Sequence, residues 1–426
     1  MTKNKLDKQI FDGENKIRIF ADVPPMPTEE RLQKYKEAGF THYLMTEDYV
    51  VFRDESGKNI SNEYLSAIDK ARGIGLKIIM RTMHDSPDYF DGFTNQLHSR
   101  ADGYYMCDEP CFEQLDWDYE SPPIIRLPKI ADWYNENGND TFFHINLLQS
   151  YGVRMLHGTK ITYQDYLDHF VETVLKRVKG TKTLSTDYYP LATENGKNFI
   201  KTNYLSDLLH VATYVKRLRE DGHKAQTAFC VQCSKMEGLH CREVASTSDI
   251  AFQTNTSLAC GAKQLEFYLY AGHGSGVFPD KETQIEYSKT YDYVKDANKE
   301  VHVLGSFITD FEWKGMKFFD GKDSTEKCEC FENAKKFELE KLNCLSIIDC
   351  SQDLIVGEFE RDGVYGYMMV NFTEPSLNAD NQITFALSGT EKAIAVQNGE
   401  KKEILIDGNN KVKLGAGEAI FICPID

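Results

Sequence analysis

Apolar runs are short throughout the 426 residues. None approaches the ~18–20 residues that a bilayer-spanning helix needs, so a membrane-embedded protein is not expected. Positive charge is scarce: Lys plus Arg number 49 against 66 Asp plus Glu, a formal net charge of −17. Nucleic acid and anionic membranes are held by Lys/Arg stripes, so neither is expected as a partner. Several motifs are missing. The loop after the first strand-like run reads DVPPMPT, with no G-x-G-x-x-G turn, and there is no Walker A loop and no G-x-S-x-G elbow. No His-x-His of the kind metal-dependent barrel hydrolases carry on a first strand is present, and no cofactor is expected. Eleven cysteines lack the spacing of a small disulfide-stapled domain. Cys230 and Cys233 flank two strand residues and so face opposite sides, a poor chelate, and Cys328 with Cys330 has no second pair, so no zinc site is expected. The opening MTKNKLDKQIFDG is polar and has no h-region. The expectation is reduced thiols and a cytoplasmic address.

What is present is globular: 41% hydrophobic, 12% aromatic and 27% charged residues, enough apolar material to exclude a disordered or fibrous chain. The first 300 residues repeat one unit, a short β-branched or aromatic run followed by a loop and a helical pattern. Eight such runs occur, at 16–22, 41–46, 76–82, 102–107, 141–148, 182–187, 225–232 and 264–270. Thr28 caps the first helix, with Glu29 and Glu30 in its first turn; later helices are expected near 61–73, 162–178, 203–220, 246–260 and 280–298. Eight βα units match a closed (β/α)8 TIM barrel, and the missing Gly-rich turn argues against an open doubly wound sheet. The expected organisation is an N-terminal tail (1–15), the barrel (16–300), a connecting segment (301–350) and a C-terminal antiparallel β-sandwich (351–426). Arg361-Asp362-Gly363, Asn398-Gly399 and Asp407-Gly408-Asn409-Asn410 read as hairpin turns of that last domain.

In such a barrel the reacting groups project from the C-terminal ends of the strands. The polar residues there are Asp22; Glu47 and Asp48; His84 and Asp85; Asp108 and Glu109; Asn146, Gln149 and Tyr151; Asp187, Tyr188 and Tyr189; Gln232; and Tyr270 and His273. Carboxylates and amides grip hydroxyls, and aromatic faces stack on a pyranose, so this mixture suits a sugar. Trp313 is a further candidate, as a stacking platform closing the mouth; its alternative is core packing between the domains. Loop charge or barrel-layer packing is the bland alternative for Glu47, Asp48, the histidines and Gln232.

The stretch GYYMCDEP at 103–110 places a carboxylate ahead of a proline, which fixes its own φ and biases its neighbour to extended geometry. It resembles the Asn-Glu-Pro or Asp-Glu-Pro that ends the fourth strand in retaining glycoside hydrolases built on (β/α)8 barrels, family 42 β-galactosidases among them. DYYPL at 187–191 and the terminal KLGAGEAIFI extend the resemblance. It implies that Glu109 is the general acid/base. It also implies a nucleophilic Glu at the end of the seventh strand, where this chain has Gln232, an amide that cannot form a glycosyl ester. Asp187, Glu237 and Glu266 are the replacements considered, with Asp187 first because it ends a strand and is followed by Tyr188-Tyr189-Pro190. Two strands apart, Glu109 and Asp187 are expected ~6.5–9.5 Å from each other, the spacing of an inverting enzyme. Together these readings give a glycoside hydrolase acting on a small glycoside or oligosaccharide. The rival is a carbohydrate-binding barrel that has lost its chemistry. A homo-oligomer is compatible with either.

Overall fold

The computed structural model describes residues 15–81, 97, 99–112, 123–138, 140–272, 274–324 and 328–425. In it each of the eight runs is a strand: β1 (Arg18–Ala21), β2 (His42–Met45), β3 (Lys77–Arg81), β4 (Gly103–Asp108), β5 (Phe142–Leu147), β6 (Thr181–Thr186), β9 (Ala225–Gln232) and β10 (Ala262–Tyr268). All are parallel, in the order β1-β10-β9-β6-β5-β4-β3-β2. Thr41 N, just before β2, donates to Ile19 O at 2.9 Å and brings the two ends of the sheet together. The result is a (β/α)8 barrel.

Strand alternation sorts the side chains. Phe20, Leu44, Ile79, Tyr105 and Phe142 face inward and fill the barrel as a cluster of their own. Ile19, Tyr43, Ile78, Tyr104 and Phe143 face outward into the main core. The helices begin where side-chain caps stand: Thr28, Ser61 and Ser246 each accept a bond from a backbone N–H of the first turn. Among the described residues no helix is long and apolar enough to cross a membrane.

One element is additional, and two expectations need correction. Between β6 and β9 the chain forms a hairpin, β7 (Leu191–Glu194) and β8 (Lys197–Ile200). Its turn is Asn195-Gly196, with φ of 50° and 75°, the left-handed pair that a two-residue hairpin loop requires. The last barrel helix runs Thr290–Ile308, not 280–298. Val294, Ala297, Val301, Leu304 and Ile308 carry one buried stripe straight through residue 300. The segment 301–350 is therefore not a connector: β11 (Glu312–Phe319) pairs antiparallel with β13 (Leu354–Arg361), and β12 (Leu345–Cys350) belongs to the second sheet.

The C-terminal region is completed by β14 (Val364–Asn371), β15 (Asn381–Leu387), β16 (Lys392–Gln397), β17 (Glu400–Leu405), β18 (Asn410–Leu414) and β19 (Ala419–Ile425). A six-stranded sheet, β11-β13-β14-β19-β16-β17, faces a three-stranded one, β12-β15-β18. Leu354, Val356, Tyr367 and Met369 meet Ile383, Phe385 and Leu414 between them. Ile355, Met368, Val370 and Phe421, on the other face of the larger sheet, join the barrel's core. Both faces are buried, which is why β13 and β14 read as continuous apolar runs. Asp362-Gly363 and Asn398-Gly399 form hairpin turns with both residues at positive φ. The 407–410 turn does not: it carries the chain from β17 in one sheet to β18 in the other. At the junction with the barrel, buried Arg242 holds Asp249 at 2.5 Å and Glu374 of the sandwich at 2.7 Å.

Candidate active site

The C-terminal ends of the barrel strands open on a cavity of about 390 Å³. Its floor is made by Asp22 after β1, Asp108 and Glu109 at the end of β4, Asn146 on β5, Asp187 after β6 and Glu266 on β10.

A fault in the register of β4 builds the centre of this floor. Tyr105 pairs with His144, but Cys107, not Met106, pairs with Ile145, so Asp108 comes opposite Asn146. The extra residue shifts the alternation by one. Asp108 then turns inward where Cys107 would have stood. Arg81, one inward position above Ile79 on β3, bridges Asp22 at 2.6 Å and Asp108 at 2.8 Å. Tyr105 Oη donates to Asp108 Oδ1 at 2.8 Å and Asn146 Nδ2 to the same oxygen at 3.0 Å. Burial works against the Arg81 charge, and the two aspartates more than offset it, raising its pKa above the ordinary value.

Glu109 follows with φ of 45°, in the left-handed region and not the extended geometry expected ahead of Pro110, and its N–H donates to Asn146 O at 2.9 Å. A non-glycine residue there is costly, and such strain clusters at functional sites. Tyr166 Oη donates to Pro110 O at 2.7 Å and fixes the chain beyond it. The Glu109 side chain is accessible from the cavity, whereas Asp187 is 6% exposed. The two carboxyl groups are in hydrogen-bond contact. That contact corrects the expected separation of ~6.5–9.5 Å: no water fits between carboxyls this close. Burial first, then the neighbouring charge of Glu109, pushes Asp187 well above the usual carboxylate range. Glu109 is raised by burial and by Asp108, while its hydrogen bonds with Asp187 and Gln149 oppose the rise. One proton shared between two carboxyls accounts for both directions.

Glu266 is 2% exposed, with Oε2 3.4 Å from His144 Nε2. His144 Nδ1 lies 3.0 Å from the amide nitrogen of Gln264, so Nδ1 is assigned as acceptor and the proton to Nε2. Burial and Arg18 lower His144 to about 3, and burial with Asp22 and Asp108 pushes Glu266 up. Burial thus disfavours the charged form of both partners.

Of the residues singled out from the sequence, Asp22, Asp108, Glu109, Asn146, Gln149, Tyr151, Asp187, Tyr189 and Glu266 line the cavity. Four others do not. Gln232 is wholly buried: its amide donates to Arg242 O at 2.7 Å and its Oε1 accepts from Leu191 N at 3.2 Å, so it ties the end of β9 to neighbouring loops. Tyr188 packs among Tyr151 and Tyr204, and Tyr270 turns outward onto Tyr35 and Phe40. Trp313 lies at the opposite end of the barrel, where its Nε1 donates to Ala259 O at 2.9 Å and its ring packs on Gly261, just before β10. Glu47 accepts from Phe52 N, Asp48 pairs with Lys281 at 2.8 Å, and exposed Glu237 pairs with Lys235 at 2.7 Å. His84, Asp85 and His273 lie outside the described residues. Arg81, Tyr105 and Tyr268 complete the site unforeseen. The inward parity of Ile79 would have flagged Arg81. Among the described residues no group of three or more His, Cys, Asp or Glu is arranged to hold a metal ion.

No protein-family model matches the chain, and no curated protein does. Solved structures do align. An α-amylase from Geobacillus thermoleovorans in complex with acarbose is 10% identical, with 96% of this chain and 98% of that one covered and a TM-score of 0.45. A glycoside hydrolase family 30 subfamily 8 xylanase, Xyn30A, from Clostridium acetobutylicum is 11% identical, covering 97% and 98%, at 0.46. A third, described as a glycoside hydrolase, is 10% identical, covering 100% and 98%, at 0.44. Likeness at this level carries no argument about activity, which must come from the site's own geometry.

Proposed function

We propose that the barrel mouth is the active site of a glycoside hydrolase, with Glu109 as general acid/base and Asp187 as its partner carboxylate. The observation that carries this reading is the contact of the two carboxyls, one open to the cavity and one buried, at the ends of two barrel strands. A pair holding one proton supplies both roles at neutral pH. Glu109 reaches the open cavity, so it protonates the departing glycosidic oxygen. Asp187, deeper, passes the shared proton to Glu109 as the pair parts and, now ionised, attacks the anomeric carbon as the C–O bond breaks. Water, deprotonated by Glu109, then cleaves the glycosyl ester and releases the sugar. The pair must part to admit substrate. From direct contact, the ~5–5.5 Å of a retaining pair is a smaller opening than the ~6.5–9.5 Å of an inverting one. Retention of anomeric configuration is therefore expected. Asp22, Asp108 and Asn146 stand ready for ring hydroxyls, and the Asn146 Oδ1 and Asp187 Oδ1 acceptors are buried without a protein donor among the described residues.

A second reading, a sugar-binding barrel without chemistry, draws on Gln232 at the end of β9 and on the closure of the pair on itself. Turnover of a panel of nitrophenyl glycosides separates the two. The hydrolase reading expects hydrolysis of at least one, reduced on the order of 10²–10⁴-fold by Glu109→Gln. Binding without turnover across the panel supports the rival.

A further inference from the structure

The cavity changes character with depth. Its carboxylates and Asn146 sit at the floor. Its outer wall is apolar. Met155 and Leu156, on the helix Ser150–His157 that follows β5, line the cavity while 74% and 43% exposed. Facing them across the same cavity are Met236 and Leu239, half-buried on the turn after β9 and packed against Tyr189. A single exposed Met or Leu means nothing. Four such side chains around the mouth of one polar-floored cavity form a patch with a use. A second sugar there would need free donors and acceptors. The wall's own amide nitrogen is committed, since Gln149 Nε2 donates to Tyr151 Oη at 2.7 Å, and its Oε1 is buried. Methionine adapts its shape to varied apolar groups.

We infer that this site takes glycosides whose leaving group is an apolar alcohol, alkyl or aryl, with the aglycone lying between Met155–Leu156 and Met236–Leu239. The inference rests on the reading of the floor as a sugar site. Its test needs no turnover. Methyl, butyl and hexyl 1-thioglycosides of β-galactose, β-glucose and α-glucose, whose sulfur resists cleavage, are titrated calorimetrically into the full chain. For the sugar that binds, affinity should rise about twofold per added methylene, half the roughly fourfold factor in affinity of complete burial. The double variant Met155→Gln/Leu156→Gln should reduce the rise across the series to less than twofold in total, with methyl thioglycoside affinity unchanged. Flat affinity in the natural chain overturns the inference. So does a chain-length gain that survives both this variant and Met236→Gln/Leu239→Gln, and so does absence of binding by every hexyl thioglycoside. A rising series with no nitrophenyl glycoside turned over sinks the hydrolase reading and leaves the apolar wall standing. Turnover with a flat series does the reverse.

Discussion

At the N-terminal end of the barrel Arg18 lies under the aromatic layer. At the C-terminal end Arg81 bridges Asp22 and Asp108, on a cavity floor that Glu109, Asp187 and Glu266 share. Arg18 is satisfied by neutral partners: Gln264 at 2.8 Å, Thr183 at 3.1 Å, Gln226 at 2.5 Å and the face of Phe142, 4.2 Å from its centroid. Burial lowers its pKa to about 10, which still leaves it charged at neutral pH. Arg81 neutralises two aspartates and leaves the Glu109–Asp187 pair to settle its charge by sharing a proton. The same scaffold thus closes one end with hydrogen bonds and holds the other with unresolved charge. The first arrangement serves stability. The second gathers the perturbed protonation states that functional sites collect.

Substitutions at the two ends should separate accordingly. The largest effect is expected from Asp187→Asn: turnover of a good nitrophenyl substrate falls on the order of 10⁴-fold, while thermal stability holds or rises because a buried acid is removed. Arg81→Met leaves Asp22 and Asp108 unpaired. Their partial exposure puts the loss toward the low end of the ~3–5 kcal/mol for breaking a buried pair. The unpaired aspartates then bind protons more tightly in the folded state, so urea titrations should show a smaller loss at pH 4 than at pH 7. Arg18→Met should cost about 1–3 kcal/mol and leave kcat/KM within twofold, since its partners are neutral and far from the mouth. A rate loss there would break the comparison.

Two smaller effects lie outside the charge layers. Asp207, buried and accepting from Ser150 N at 2.7 Å, is raised to about 7, chiefly by burial. Between pH ~4 and ~7 the folded chain therefore holds a proton that the unfolded chain has lost, and stability declines as pH rises through that window. Asp207→Asn should remove that decline from a melting-temperature profile. Trp313→Phe should cost about 1 kcal/mol through the lost bond to Ala259 and leave KM unchanged.

The barrel was legible because each strand is an apolar run with its own turn signals and each early helix carries its cap. The Asp108-Glu109-Pro110 and Asp187 positions were legible for the same reason, as polar residues ending apolar runs. What escaped depended on distant partners. Gln232 looks like a mouth residue until Leu191 and Arg242 claim its amide. Trp313 has no local mark showing which end of the barrel it serves; Ala259, 54 positions away, decides that. The inward turn of Asp108 arises from a bulge in β4, visible only in its register against β5.

The central claim is that these two carboxyls hold one proton between them. Carbon-13 chemical shifts of the Glu109 and Asp187 carboxyl carbons, followed against pH with the single variants for assignment, test it most directly. The account expects two separated steps, the upper one well above the ordinary carboxylate value of about 4. Two independent titrations both near 4 would contradict it.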